Sequence, residues 1–529
     1  MMGGAVMRGW CLGLLLGVTL VLIACGAAAP THLSPTSLRS STPVASSPVP
    51  GPSATPTRTP SPVPPTSTLR SSPIPPARSP THTAIAPTLV PPTVTPVLPT
   101  VTPVPTPPED LSIGVWESQL VLATAGWEQA LVPTSEGDPV YPYPRMDFAE
   151  LGPVTDRTYG VIVLENGYVR VTILPELGGR ILRWEDKSTG LLLTYANPVI
   201  QPAEWWGYRG WLFVTGGLEW AFPTDEHGLI EYRPWQYELL SGPAWRGVRV
   251  WDTDDRTGLT VEVTLRLVAG RSDLFIAPRI TNSTGSPQPF QFWINAMLTL
   301  SGGYAPTSGL RFWVPTEQMV VHSTDDVSLP GPGGTISWPV YAGRDLSWYR
   351  EWHKYLGLFA TSATGVVGAY DETMDQGLVR VYPAGVAPGV KIFCLGDLPS
   401  TIYTVDGSRY FELWGGYTRT FWEYAELAAG ATVSWEERWY PVHGIGTLSW
   451  SNGELAAALQ ATEDGIAVGL YAPTAASAHL ALRQNDVTVA EWDVAVGPGR
   501  PFRTLYPADG AGWNLQIWQD EALVVQVDL

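Results

Sequence analysis

From about residue 111 onward, apolar side chains recur at every second position. In YVRVTILP, Val169, Val171 and Ile173 share one face, which is the period of a half-buried strand. That run follows VIVLENG, whose Asn166-Gly167 pair is a hairpin turn signal. GLTVEVTLRLVAG aligns Leu259, Val261, Val263, Leu265 and Leu267 in the same way, and should pair across DTDDRTG with GVRVW. Further strands are predicted over 274–281, 290–300, 377–382, 410–414 and 431–440. Two stretches read as short amphipathic helices, DLSWYREWHKYL (345–356) and GELAAALQAT (453–462). Strands and helices do not alternate, so the pattern excludes a parallel α/β sheet and predicts a large all-β body. A composition break at 441–446 opens a second run of short, evenly spaced strands, the pattern of a small β-sandwich.

The N-terminal quarter follows other rules. Arg8 precedes a nearly unbroken apolar run over 11–23, too short to span a bilayer, which needs ~20 residues, but suited to a signal peptide. Leu22-Ile23-Ala24-Cys25 resembles a bacterial lipobox, which would make Cys25 the lipid-bearing first residue of the mature chain. Cleavage after the small residues at 27–29 by an ordinary secretory route is the alternative. Residues 26–108 hold 24 of the 51 prolines and no Asp or Glu. Such a segment cannot bury enough apolar surface to offset its ordering entropy, and is expected to be an extended, disordered stalk. The expected organisation is therefore a signal peptide over 1–25, a Pro/Ser/Thr-rich stalk over 26–108, a large β-domain over 109–443 and a small β-sandwich over 444–529. The chain would be exported and lipid-anchored on the outer face of a bacterial membrane.

Cysteine use agrees with this. Once Cys11 leaves with the signal and Cys25 carries lipid, only Cys394 remains, so no intramolecular disulfide can form. Five of the 31 basic residues and none of the 49 acidic ones precede residue 109. The remainder carries 26 cations against 49 anions, a net charge of −23, which repels nucleic acid and anionic lipid and suits neutral ligands.

Candidate chemistry concentrates where carboxylates sit beside tryptophans, of which 23 lie beyond residue 108. In RYFELWGG, alternation places Tyr410, Glu412 and Trp414 on one face and Phe411 and Leu413 on the other. In TGGLEWAFPTDEHG (215–228), Glu219 follows a Gly pair and adjoins Trp220. A carboxylate walled by indole has its pKa raised by desolvation, as a general acid or base near neutrality requires. Glu219 could equally be a structural carboxylate paired with Arg180, Arg209 or Arg419. Flat indoles such as Trp206, Trp220 and Trp414 stack on sugar rings while acids and amides bind hydroxyls; the same residues also serve as core filler. His227 and His322 are the imidazoles expected in loops. DTDDRTG and DEH lack the spacing of calcium or zinc ligands, and no phosphate loop or nucleophile elbow is present, so neither metal nor cofactor is expected.

The blocks VTILPELGGRILRWED, RGWLFVTGGLEWAFP, FWINAM, SWPVYAGRDLSWYREW, GVKIFCLGD and RYFELWGGYTRTFWEY, in order between about residues 147 and 441, resemble a bacterial family known as domain of unknown function 5107. Its members are often joined to tetratricopeptide repeats, which are absent here. That family is similar to the galactose-mutarotase-like supersandwich of aldose epimerases, and the resemblance implies that fold for the large domain. It also implies that Glu412 stands where epimerases carry their base, and that TGGLEW falls near their His-Gly-Gly segment. FWINAM falls near their Asn-His run, where Asn295 is followed by Ala296 instead of the acid histidine. Catalysis would then use Glu412 with Glu219 or His322, and Trp220, His227, Arg180, Arg209, Trp206, Asn295 and Trp414 would bind substrate. Two functions stay open: a carbohydrate-active enzyme, glycosidase or epimerase-like, acting on neutral glycans, and a surface lipoprotein that binds glycan without turning it over.

Overall fold

The computed structural model describes residues 112–529 apart from positions 206, 208, 225 and 363; the expected signal, Cys25 and the whole of the expected stalk lie outside the described residues. The expected architecture is the one observed: an antiparallel β-supersandwich followed by a small β-sandwich. One sheet of 13 strands runs through Leu356–Phe359, Gly389–Cys394, Phe411–Gly416, Trp293–Leu298, Gly217–Ala221, Arg180–Asp186 and Val169–Leu174. The other, of nine strands, is built around Trp245–Thr253, Leu259–Val268, Leu274–Asn282, Glu437–His443 and Gln376–Val381. Their inner faces share one core, in which Val171, Ile173, Leu218, Ile294 and Leu413 of the first meet Val250, Val261, Leu265 and Ile276 of the second. In Leu259–Val268 every second side chain is buried, so the alternation in the sequence is the alternation of burial.

After the strand Glu437–His443, two four-stranded sheets enclose a separate core of Leu455, Leu459, Val468, Leu480, Leu515 and Ile517. A second apolar cluster, with Tyr370, Val379, Tyr440, Val442, Ala456, Ala458 and Tyr471, joins this part to the nine-stranded sheet.

Neither expected helix forms. Residues 453–462 contain the strand Ala456–Thr462, paired with Gly465–Tyr471. Ala457 and Leu459 enter the small core while Ala456 and Ala458 pack toward the large sandwich. With both faces buried the two-residue period vanishes, and alanine's helix propensity yields to tertiary pairing. Over 345–356 only one turn of 3-10 helix, Tyr349–Glu351, appears. Trp352 donates its indole N–H to the carbonyl of Leu346 (2.7 Å), and the Trp348 ring stacks under the Arg350 guanidinium at 3.9 Å, contacts that a continuous helix would break.

Gly216 and Gly217 allow the strand Gly217–Ala221 to close on its neighbours. Both have positive φ, and a Cβ on Gly217 would stand 1.8 Å from the carbonyl oxygen of Ile181. A Gly217→Ala substitution is therefore expected to cost at least about 2 kcal/mol, read as a lower urea midpoint at unchanged m-value.

Candidate functional site

The site lies on the face of the 13-stranded sheet turned away from the core. In Gly217–Ala221 the side chains of Leu218 and Trp220 enter the core, where the Trp220 indole donates to the carbonyl of Gly179 (3.0 Å). Glu219 therefore points to the other face. Register extends this position across four strands, Glu219 opposite Asn295, Asn295 opposite Trp414 and Trp414 opposite Lys391. Directly paired residues share a face, so these four form one row. Two positions along, Glu412 and Phe393 form part of the next row.

The turn after Gly217–Ala221 adds an imidazole. Glu226, His227 and Gly228 have φ of 36°, 68° and 72°, a left-handed run that non-glycine residues adopt only under strong tertiary constraint. The backbone N–H of Leu229 bonds the carbonyl of Phe222 at 2.9 Å and closes the loop. Both Glu226 and His227 are thereby turned into one cavity of about 190 Å³, which they line with Trp205, His322, Lys391, Tyr403, Tyr410 and Glu412.

Glu219 is buried behind His227 and is not part of the cavity wall. Its Oε1 bonds His227 Nδ1 (2.5 Å) and accepts from Asn295 Nδ2 (3.0 Å), while Oε2 accepts from Arg180 Nη1 (3.3 Å). Desolvation pushes this carboxyl up, but His227, Arg180 and Asn295 together bring it below its ordinary value. Burial likewise pulls His227 down, and the Glu219 carboxylate outweighs it, so the imidazole stays charged above its usual range. Arg180, fully buried, also donates to Leu177 O (2.8 Å), Thr215 Oγ1 (2.7 Å) and Glu231 O (3.0 Å).

Glu412 accepts a hydrogen bond from Trp414 Nε1 (2.7 Å). Burial raises its pKa, with Lys391, His227 and the Trp414 bond opposing in part. On the same wall Glu226 Oε1 lies 3.0 Å from His322 Nε2 and 3.8 Å from Lys391 Nζ. Desolvation would push Glu226 up, but the His322 bond and the Lys391 charge take it down to about 2. Burial and the Lys391 charge hold His322 below its ordinary value, so it meets Glu226 as a neutral donor.

The residues singled out in the sequence thus divide. Glu412, His227 and His322 line the cavity, His322 from the strand Gln318–Thr324 and not from the expected loop, and Trp414, Glu219, Asn295 and Arg180 form the layer behind it. Arg209 pairs with Glu231 and lies 3.8 Å over the Trp211 ring, outside the cavity lining. Trp220 belongs to the core. Trp206 lies outside the described residues. Sequence reasoning passed over Glu226 and Lys391. The signal for Lys391 was a lone cation between Val390 and Ile392 in an otherwise apolar strand, and that for Glu226 was its place beside His227.

Residues 135–435, more than half of the chain, match the family described as domain of unknown function (DUF5107). The chain belongs to this family. Among solved structures it is similar to a TPR-domain containing protein from Parabacteroides distasonis, with 23% identity over 63% of this chain and a TM-score of 0.55. It spans 56% of that protein's length, and the likeness is one of fold. Galactose mutarotase-like proteins from Lactobacillus casei (11% identity, covering 53% of this chain and 100% of that one, TM-score 0.36) and Clostridium acetobutylicum (10%, 54% and 96%, 0.36) also match.

The Glu226 assignment has a stability consequence. Its pKa falls from 4.5 to about 2 on folding, so its contribution is complete above pH 4.5 and is lost as pH drops toward 2. Denaturant midpoints measured between pH 5 and 2 should fall less steeply for Glu226→Gln than for the parent protein.

Proposed function

We propose that this DUF5107 protein holds a single neutral sugar ring in the cavity and exchanges protons with its anomeric centre, in the manner of an aldose epimerase. The observation that carries the reading is that a carboxylate, Glu412, and an imidazole, His227, open on one small aromatic-walled cavity, each fixed by a protein partner from behind. About 190 Å³ is the share of roughly six waters, below the ~300 Å³ at which drug-sized pockets begin, and suits one ring. Glu412 would take the proton of the anomeric hydroxyl while the His227 imidazolium gives one to the ring oxygen. The bond from the anomeric carbon to the ring oxygen breaks as the carbonyl forms, the carbon turns, and the reverse transfers close the ring with the other configuration. Glu219 engages Nδ1, so the transferable proton is the one on Nε2, and Glu219 acts as a positioning residue.

Two-carboxylate glycoside hydrolysis by Glu412 with Glu219 finds less support, because both Glu219 oxygens are engaged by His227, Asn295 and Arg180. Glycan binding without turnover is the second reading, and Ala296 at the expected place of an acid histidine favours it. The lipobox at Cys25 and the Pro-rich stalk support placing the domain outside the cell, on a lipid anchor.

The test is proton NMR of anomeric exchange in D-glucose, D-galactose and D-mannose with the full chain. Glu412→Gln should slow exchange about 10²–10⁴-fold. The rate should be bell-shaped in pH, rising as Glu412 ionises and falling as His227 loses its proton. Glu219→Gln should move the alkaline limb to lower pH, because the group that holds the imidazole charged is gone. Sugar signals that broaden without faster exchange would leave the binding reading, and no response would remove both.

A further inference from the structure

Gln291 is fully buried and ties two loops together. Its backbone N–H bonds the carbonyl of Pro223 (2.7 Å), in the loop that carries His227, and its side-chain amide donates to the carbonyls of Phe421 and Glu423 (2.7 Å each). A further link joins Thr224 Oγ1 and the Tyr424 hydroxyl at 3.0 Å. The segment after Phe411–Gly416 is thus held rigidly against the cavity loop. Phe421 is buried among Trp293, Phe359 and Trp414, yet the neighbouring Trp422 is 52% exposed and Tyr424 60% exposed. The Trp422 ring lies nearly parallel to His322, at 6.3 Å and 29°, and meets Phe359 edge-on at 5.4 Å. Since His322 lines the cavity, Trp422 stands at its margin with much of its surface left to solvent.

Single exposed aromatics are ordinary. Two within three residues, braced by a buried amide and set beside a polar cavity sized for one ring, form a fixed platform where a ligand would emerge. We propose that Trp422 and Tyr424 form a second sugar-binding subsite, so that the substrate is the reducing end of a disaccharide or longer neutral glycan, its terminal ring in the cavity and the next ring stacked on Trp422. An indole face matches the apolar face of a pyranose, and the Tyr hydroxyl can reach the sugar's own hydroxyls. This rests on the reading of the cavity as a sugar site.

The experiment compares the full chain with Trp422→Ala and Trp422→Phe, titrating D-glucose and D-galactose against maltose, cellobiose and lactose by ligand NMR. In the parent protein at least one disaccharide should bind more tightly than its reducing-end monosaccharide. Trp422→Ala should weaken that disaccharide about tenfold and leave the monosaccharide unchanged, while Trp422→Phe retains most of the difference. Equal effects of Trp422→Ala on both sugar classes, or a parent protein that does not prefer the disaccharide, would overturn the subsite and leave the cavity reading standing. A parent protein that binds none of these sugars would end both.

Discussion

The Glu219 carboxylate is the constraint on which the site is built. A buried charge without partners costs more than a domain can tolerate and would take up a proton instead. Glu219 keeps its charge because three groups converge on it, Arg180 from the neighbouring strand, Asn295 from the strand on the other side and His227 from its own following loop. Each is fixed in turn: Arg180 by two backbone carbonyls and Thr215, Asn295 by its place between Glu219 and Trp414, His227 by edge-on contacts with Trp205 and Trp414. The two glycines before Glu219 bring its strand close enough for this to occur. Substitution in this layer therefore acts on stability and on the cavity together.

Around that layer the ionised groups balance. Arg180, Arg209, Lys391 and the charged His227 face Glu219, Glu226, Glu231 and Glu412 within linked contacts. The acidity of the chain as a whole is thus absent from the cavity. A site without net charge adds no local attraction for an ion of either sign, and its selectivity has to come from shape, aromatic contact and hydroxyl pairing. Those are the terms on which sugars differ from one another.

Part of the fold was legible because some of its long strands leave one face to solvent. Leu259–Val268 shows its period in the sequence since only alternate residues are buried, and Val169–Leu174 does so as far as Ile173. Where both faces are covered, as in Ala456–Thr462, periodicity disappears and alanine content reads as helix. The same limit governs the site. Glu412 with Trp414, and Glu219 with His227, are close in sequence, and their local pattern marks them. Lys391 with Trp414 is joined by sheet register, and Glu226 with His322 by a turn packed on a distant strand, relations that no local window contains. Trp220 and Arg209 carry the right chemistry but face the wrong way, and only the direction of the side chain separates them from true cavity residues.

Register also explains why no histidine stands beside Asn295. In Trp293–Leu298 alternate side chains leave the sheet on opposite sides. Ala296, paired between Leu218 and Leu413, enters the core, while Asn295 lies on the cavity side and donates to Glu219. An imidazole at 296 would displace core packing without reaching a ligand. Whereas His322 reaches the cavity from the strand Gln318–Thr324, the imidazole in contact with Glu219 and Trp414 comes from outside the sheet, on the left-handed turn at Glu226 and His227. Its backbone strain is held by the Leu229 to Phe222 bond, the Glu219–His227 pair and the Glu226–His322 contact. Strain maintained by three independent contacts, at a loop that delivers an imidazole into the cavity of Glu412, is better explained by what the loop presents than by what it adds to stability.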